Sequence, residues 1–226
     1  MSEVREEEVE SRFEATAAVG LVIALQVTLA LVSLVGDWKL IGLPGWVWLI
    51  PTLPEVALLV PLAFAEPRHR LEQMGRRRTV ALALVGVITA ANALALAALI
   101  ASLLSAQEKS GAELLLKGVT IWSTNVVTFG LLFWELDRGG PMRRGAPDPP
   151  PPDFQFPQDE NPALAEPDWH PRLVDYVYVS FTNATAFSPT DAMPLTRRMK
   201  MLMMAGSAIS AITVLLVAAR AVNILG

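Results

Sequence analysis

Residues 79–104 read TVALALVGVITAANALALAALIASLL, 26 positions without a charged side chain. An α-helix rises about 1.5 Å per residue and the hydrocarbon core of a bilayer is about 30 Å thick, so roughly 20 apolar residues cross it. This stretch is long enough to span. Working outward, segments 15–35, 46–65, 114–134 and 201–225 share its apolar character, in a chain of 226 residues that is 53% hydrophobic. The pattern predicts an all-α integral membrane protein with about five transmembrane helices, whose first partner is the lipid bilayer.

The second segment differs from the others. It contains Pro51, Pro54, Pro61 and the charged Glu55. A proline has no N–H to give to the carbonyl four residues back, so this span is expected to kink.

Composition divides the rest of the chain. Residues 1–14 hold six glutamates and two arginines, which predicts an acidic, solvated tail or short helix and is the opposite of a basic signal n-region. Residues 15–138 form the four-helix transmembrane region. Residues 139–172 carry Pro147, Pro149, Pro150, Pro151, Pro152, Pro157, Pro162, Pro167 and Pro171 in a polar, acidic setting, which predicts a polyproline-type connector. Residues 173–226 supply a short aromatic and Ser/Thr-rich segment and the last span. The segment 173–187 is too short to cross comfortably, and a helix that enters the membrane and turns back fits it better.

Lys and Arg in short loops stay on the cytoplasmic side. Arg68, Arg70, Arg76, Arg77 and Arg78 lie between spans two and three, whereas the neighbouring loops offer Lys39 and Lys109. With a cytoplasmic N-terminus, the connector and the cluster Arg197, Arg198, Lys200 also fall inside, provided that 173–187 is re-entrant. An inside N-terminus and an outside C-terminus are therefore expected, in an inner (plasma) membrane.

Several function classes lose support. A net charge of -4 and the lack of a basic stripe argue against a nucleic-acid partner. There is no cysteine, and His69 and His170 are too few for a His-rich metal site, so neither metal nor cofactor is expected. No Gly-x-Ser-x-Gly, His-Glu-x-x-His or phosphate-cradling glycine loop occurs, and no catalytic residue or enzyme activity is expected.

Polar residues inside spans carry more information. A central charge costs roughly 2.5–3.5 kcal/mol on insertion scales, so Glu55 and Arg220 should find partners, and a mutual ion pair is the expectation. Asn92 and the group Thr120, Ser123, Thr124, Asn125 and Thr128 suit hydrogen bonds between helices, with a polar pore lining as the alternative. Lys117 is placed to snorkel, and Trp38, Trp46, Trp48 and Trp134 suit the interfacial belts. Glu135, Asp137 and Arg138 close span four before the stop at Gly139-Gly140-Pro141, where their charges should satisfy one another.

The densest run of chemistry lies from Asp175 to Thr196. Within it, Tyr178, Ser180, Phe181, Thr185, Asp191, Pro194 and Thr196 follow the pattern Y-x-S-F-x-x-x-T-x-x-G-Y-G-D-x-x-P-x-T. This resembles the pore helix, filter and following turn of tetrameric potassium channels. The filter glycines are matched by Ser188 and Thr190, its tyrosine by Pro189 and its second threonine by Ala186, a departure that removes potassium selectivity of that type. The channel loop also enters from outside, whereas the charge pattern here places the segment inside. Trp134-Glu135-Leu136-Asp137-Arg138-Gly139-Gly140-Pro141 and Asn183-Ala184-Thr185-Ala186-Phe187-Ser188-Pro189-Thr190-Asp191 give the chain a wider resemblance to bacterial multi-pass membrane proteins of unknown function.

Two readings follow. In the first, Thr182, Asn183, Thr185, Ser188, Thr190 and Asp191 line a path for an ion or small solute in a homo-oligomer. In the second, Ser188 caps the next turn with Pro189 at its first position, and the chain is a non-conducting scaffold that docks a protein partner through the proline-rich connector. Because the chain has no cysteine, Asp148→Cys, Asp175→Cys and Gly226→Cys each introduce a single thiol. With an impermeant thiol reagent on intact cells, Gly226→Cys should label, and the other two should label only after permeabilisation. External labelling of Asp148→Cys would invert the topology.

Overall fold

The structure, a computed structural model, describes residues 2–40, 42–105, 110–144, 148–166, 169–186 and 191–225. It is all-α, and among the described residues five helical stretches are long and apolar enough to cross a membrane: Phe13–Val35, Gly45–Ala63, Arg77–Leu104, Gly111–Arg144 and Arg197–Arg220. The first helix, α1 (Ser2–Val35), continues through the acidic N-terminal stretch without a break.

The second span is broken as its prolines require. A 3-10 turn at Gly45–Leu49 leads through Pro51 into α2 (Thr52–Ala63), and an extended Phe64 separates α2 from α3 (Ala65–Gln73). Gly45 lies so close to α1 that a Cβ there would sit 2.6 Å from the Ser33 Cβ, so this turn is held against the end of α1. Next come α4 (Arg77–Leu104) and α5 (Gly111–Leu136), the latter N-capped by the Ser110 hydroxyl, which accepts from the Glu113 amide.

Helix α5 is the hub. Of its span, 72% is buried, against 11–33% for the others, because α1, α4, α8 (Leu173–Ala186) and α9 (Arg197–Leu225) all pack on it. Close approach needs small residues: a Cβ on Gly118 would meet Val217 at 2.5 Å, and one on Gly130 would meet the Val177 Cα at 2.9 Å. Along α5, Gly130 faces Val177 and Trp122 faces Phe181 at 5.7 Å, so α8 runs antiparallel to it. Leu136 accepts from Arg198, Asn125 donates to Gly206, and Gly118 faces Val217, so α9 also runs antiparallel to α5. Both α8 and α9 therefore start at the end where α5 stops.

That same end gathers the start of α1, where Glu14 accepts from the Leu173 amide, and the start of α4, where Arg77 bonds Glu135. The basic clusters at 68–78, 138–144 and 197–200 thus share one end of the bundle. The opposite end holds Lys39 and Lys117.

The connector is not a free polyproline arm. After a left-handed Arg138 (φ 51) and Gly139 and Gly140 at φ 80 and 94, the short helix α6 (Pro141–Arg144) turns the chain back. Strand β1 (Phe154–Gln155) then pairs antiparallel with β2 (Met193–Pro194), Phe154 opposite Pro194, and a one-turn α7 (Pro157–Glu160) follows β1. Phe154 and Phe156 are buried in the main core with Phe133, Leu173 and Tyr176. Polyproline composition hid this because two aromatic rings, not the prolines, determine where the segment packs.

Three side chains depart from expectation for related reasons. Lys117 does not snorkel: it is fully buried, 2.6 Å from Glu113 one turn earlier, and donates to the Lys39 carbonyl. Trp48 and Trp134 are core residues rather than belt residues, because the 3-10 turn that carries Trp48 packs on α1 and Trp134 belongs to the buried helix α5. The α5–α8 contact supplies a direct test. Gly130→Ala should lower the unfolding midpoint, since overpacking costs about 1–3 kcal/mol. Gly86→Ala, with nothing within 4 Å of the added carbon, should leave it unchanged or raise it.

Candidate functional site

The short helix α8 and the loop before α9 hold most of the residues singled out for a solute path, so what positions α8 determines what those residues can do. Its base is fixed by Asp137, the first residue after α5. This side chain is fully buried. One carboxylate oxygen accepts from the amides of Asp153 and Phe154 at 2.7 and 3.2 Å, and the other accepts from the Tyr176 hydroxyl at 2.5 Å and lies 3.6 Å from the Arg138 Nε. A buried carboxylate is tolerated only when its lone pairs are taken up in this way.

The surrounding groups extend the frame. Arg144 stacks over the Tyr176 ring at 4.8 Å and donates to the carbonyls of Trp134 and Pro171, linking the end of α5 to the approach to α8. Asp153 accepts from Thr196 at 2.7 Å and from Arg198 at 2.6 Å, linking the connector to the start of α9. Arg138 grips Asp159 with two bonds of 2.8 and 2.9 Å. Phe133, Phe154, Phe156 and Trp169 pack edge-on around Tyr176 or one another. Burial pushes the Tyr176 phenol up from its ordinary range, and the adjacent Asp137 carboxylate adds to this against the opposing pull of Arg144.

From this base α8 runs for 14 residues and stops alongside the middle of its neighbours. Asn183 donates to the Met203 carbonyl at 2.9 Å, and the Ser207 hydroxyl donates to the Asn183 carbonyl at 3.1 Å. At about 1.5 Å per residue, those positions lie roughly 9–15 Å into α9. The chain then returns, so that β2 lies again beside β1 at the starting end. The start of α8 and strand β2 therefore lie at the same end of the bundle.

The path residues do not converge as a set. Thr182 and Thr185 turn their hydroxyls back to carbonyls of their own helix, at Tyr178, Val179 and Phe181. Asn183 faces α9 and is buried, Thr185 is exposed on another face, and Asp191 is exposed beyond the helix. Ser188 and Thr190, with the proposed Ser188 cap, lie outside the described residues. The exposed stripe of α8 is Val174, Tyr178, Phe181 and Thr185, spaced as one helical face.

The expected Glu55–Arg220 pair does not form. Glu55 is fully buried and takes its hydrogen bond from Gln26 of α1 at 2.9 Å, because α2 packs on α1 and α4 whereas α9 packs mainly on α5 and α8. Among the polar residues of α5, Asn125 donates to Gly206 and Ser210 of α9, as interhelical glue should, while the buried Thr128 hydroxyl bonds its own helix. Sequence reasoning missed Asp153 and the rings at 154 and 156. The alternation Asp153-Phe154-Gln155-Phe156 is a strand signal that the surrounding prolines masked.

Removing the Tyr176 hydroxyl leaves a buried carboxylate short of a donor, so Tyr176→Phe should lose about 2 kcal/mol of stability. A phenol raised in the folded state contributes fully below the unfolded value near pH 10 and progressively less above it. The gap in unfolding midpoint between wild type and Tyr176→Phe should therefore narrow above about pH 10. The chain matches no protein-family model, no curated protein and no solved structure.

Proposed function

We propose that the chain is a subunit of a pore-loop permeation protein that passes a cation or small polar solute without a potassium-selective filter. The observation that carries this is the half-helix: α8 ends beside the middle of α5 and α9, and its base is locked to both. The carbonyl end of a helix bears about half a negative charge. Irregular backbone at bilayer depth is tolerated where it lines a water-filled cavity or is buried in protein. A half-helix with its carbonyl end at mid-depth lowers the energy of a cation there, as in transporters and channels built on broken helices.

The exposed stripe of α8 favours a homo-oligomer, because Tyr178, Phe181 and Thr185 gain cover when copies meet around an axis. The collection of basic clusters at one end supports a cytoplasmic location for that end, for the N-terminus and for the connector, in an inner membrane. Ser188 and Thr190 in place of filter glycines favour weak selectivity.

A second reading has its own observation. Pro149, Pro151 and Pro152 are exposed at the surface of the packed connector, and such a run suits an aromatic-lined partner groove. Under that reading the chain is a scaffold and α8 only packs.

Flux separates them. Purified protein in liposomes, given potassium, sodium and proton gradients in turn, should conduct above empty liposomes. Thr185→Val and Asp191→Ala, both at exposed positions, should reduce conduction at least several-fold with the protein still folded. Absence of flux for every gradient would overturn the permeation reading in favour of the proline-rich docking surface.

A further inference from the structure

Away from α8, a small cavity lies between α1, the break in the second span, α4 and α5. Gln26, Trp48, Pro51, Asn92, Thr120 and Thr124 line it, and its volume is about 20 Å³. A single water needs roughly 10–15 Å³ on this measure, so the space suits one water-sized occupant and no organic solute.

Its walls are unusual in what they leave unbonded. Gln26 Oε1, Asn92 Nδ2, Thr120 Oγ1 and Thr124 Oγ1 are buried without a hydrogen-bond partner, on residues that are each at least nine-tenths buried. Buried polar groups left unpaired cost about 1–3 kcal/mol each, so four around one cavity point to an occupant. The amide of Gln26 also has a fixed orientation. Its NH2 group donates to Glu55, which as a carboxylate can only accept, and its oxygen is therefore presented as an acceptor. Nothing bonds the Asn92 NH2 group, so that amide can turn its own oxygen inward.

Glu55 decides what the occupant is. It lies one turn after the lining residue Pro51, is fully buried, and keeps one carboxylate oxygen without a partner. Among the described residues, its one side-chain hydrogen bond comes from neutral Gln26, and it makes no ion pair. A water in the cavity would satisfy hydrogen bonds but would leave Glu55 either protonated or an uncompensated charge in a low-dielectric region. A desolvated monovalent cation answers both, since Gln26 and the two threonines offer only oxygen to it. The break at Pro51 is also the kind of interrupted helix that accompanies such sites.

We propose that this cavity, coupled to Glu55 through Gln26, binds one alkali-metal cation. The site is separate from α8 and does not depend on conduction through it. The test is the unfolding midpoint of the purified full-length protein in detergent, titrated with sodium or potassium chloride against N-methylglucamine chloride at constant ionic strength. A specific ion should raise the midpoint by several degrees and saturate, because it binds the folded state alone.

Glu55→Gln should abolish the ion-dependent rise. Thr124→Val should shift its half-saturation at least tenfold upward, and Asp191→Ala should leave it unaltered. If Glu55→Gln does not yield monodisperse protein, Thr120→Val and Thr124→Val decide the matter. Equal midpoints in all salts would mean that the cavity holds water only. A rise that survives both Glu55→Gln and Thr124→Val would place the ion elsewhere. Either result overturns the proposal.

Discussion

A carboxylate with no exposure to solvent is costly until hydrogen bonds take up its lone pairs, and at Asp137 those bonds tie the connector, α8 and the turn after α5 together. Its partners come from the connector, from α8 and from the turn that ends α5. None of these contacts is local in sequence except that with Arg138. The connector must therefore fold back before the carboxylate is satisfied, and α8 must begin where Tyr176 can reach it. Asp153 repeats the logic one step outward, using its backbone amide on Asp137 and its side chain on Thr196 and Arg198. The placement of α8 is consequently determined at its base, by hydrogen bonds at the bundle's end, while near its other end Asn183 joins it to α9 through its side chain and carbonyl.

Most of the architecture was legible in the sequence because bilayer thickness imposes a length that apolar runs either meet or do not. Segment 79–104 corresponds to α4 within two residues, and Pro51 of segment 46–65 marks the junction between the 3-10 turn and α2, while Pro54 and Pro61 lie inside α2. The return of α8 to its starting end was legible too, through the constraint that basic clusters share a side. What escaped was pairing at a distance. Whether Glu55 meets Arg220 or Gln26 depends on which helices adjoin, and apolar runs of equal length carry no such information. The connector was misjudged for a different reason: ten prolines dominated the composition, and the two phenylalanines that decide its position did not. Of the proposed path residues, the sequence could not say that Thr182 and Thr185 would bond their own backbone.

The two ends of the bundle manage charge in opposite ways. At the end where α8 starts, Arg144 and Arg198 lie at or near the surface and reach backbone carbonyls and the Asp153 carboxylate. At the other, Lys117 is buried against Glu113 and the Lys39 carbonyl, a closed pair with no surplus. An asymmetric surface charge orients a protein in a membrane, whereas a buried neutral pair has no influence on orientation.

Asn125 on α5 donates both amide hydrogens to α9, at Gly206 and Ser210. Ribosomes deliver the chain from its N-terminus, so α5 enters the membrane about seventy residues before its partner exists. During that interval the amide faces lipid, and the surface that will hold Val177 against Gly130 is bare. The protein is therefore most vulnerable late in its own synthesis, when four of five spans are in place. A chain stalled or truncated ahead of residue 200 would present an unsatisfied amide within the bilayer, a chemical mark by which quality control can tell an unfinished protein from a complete one.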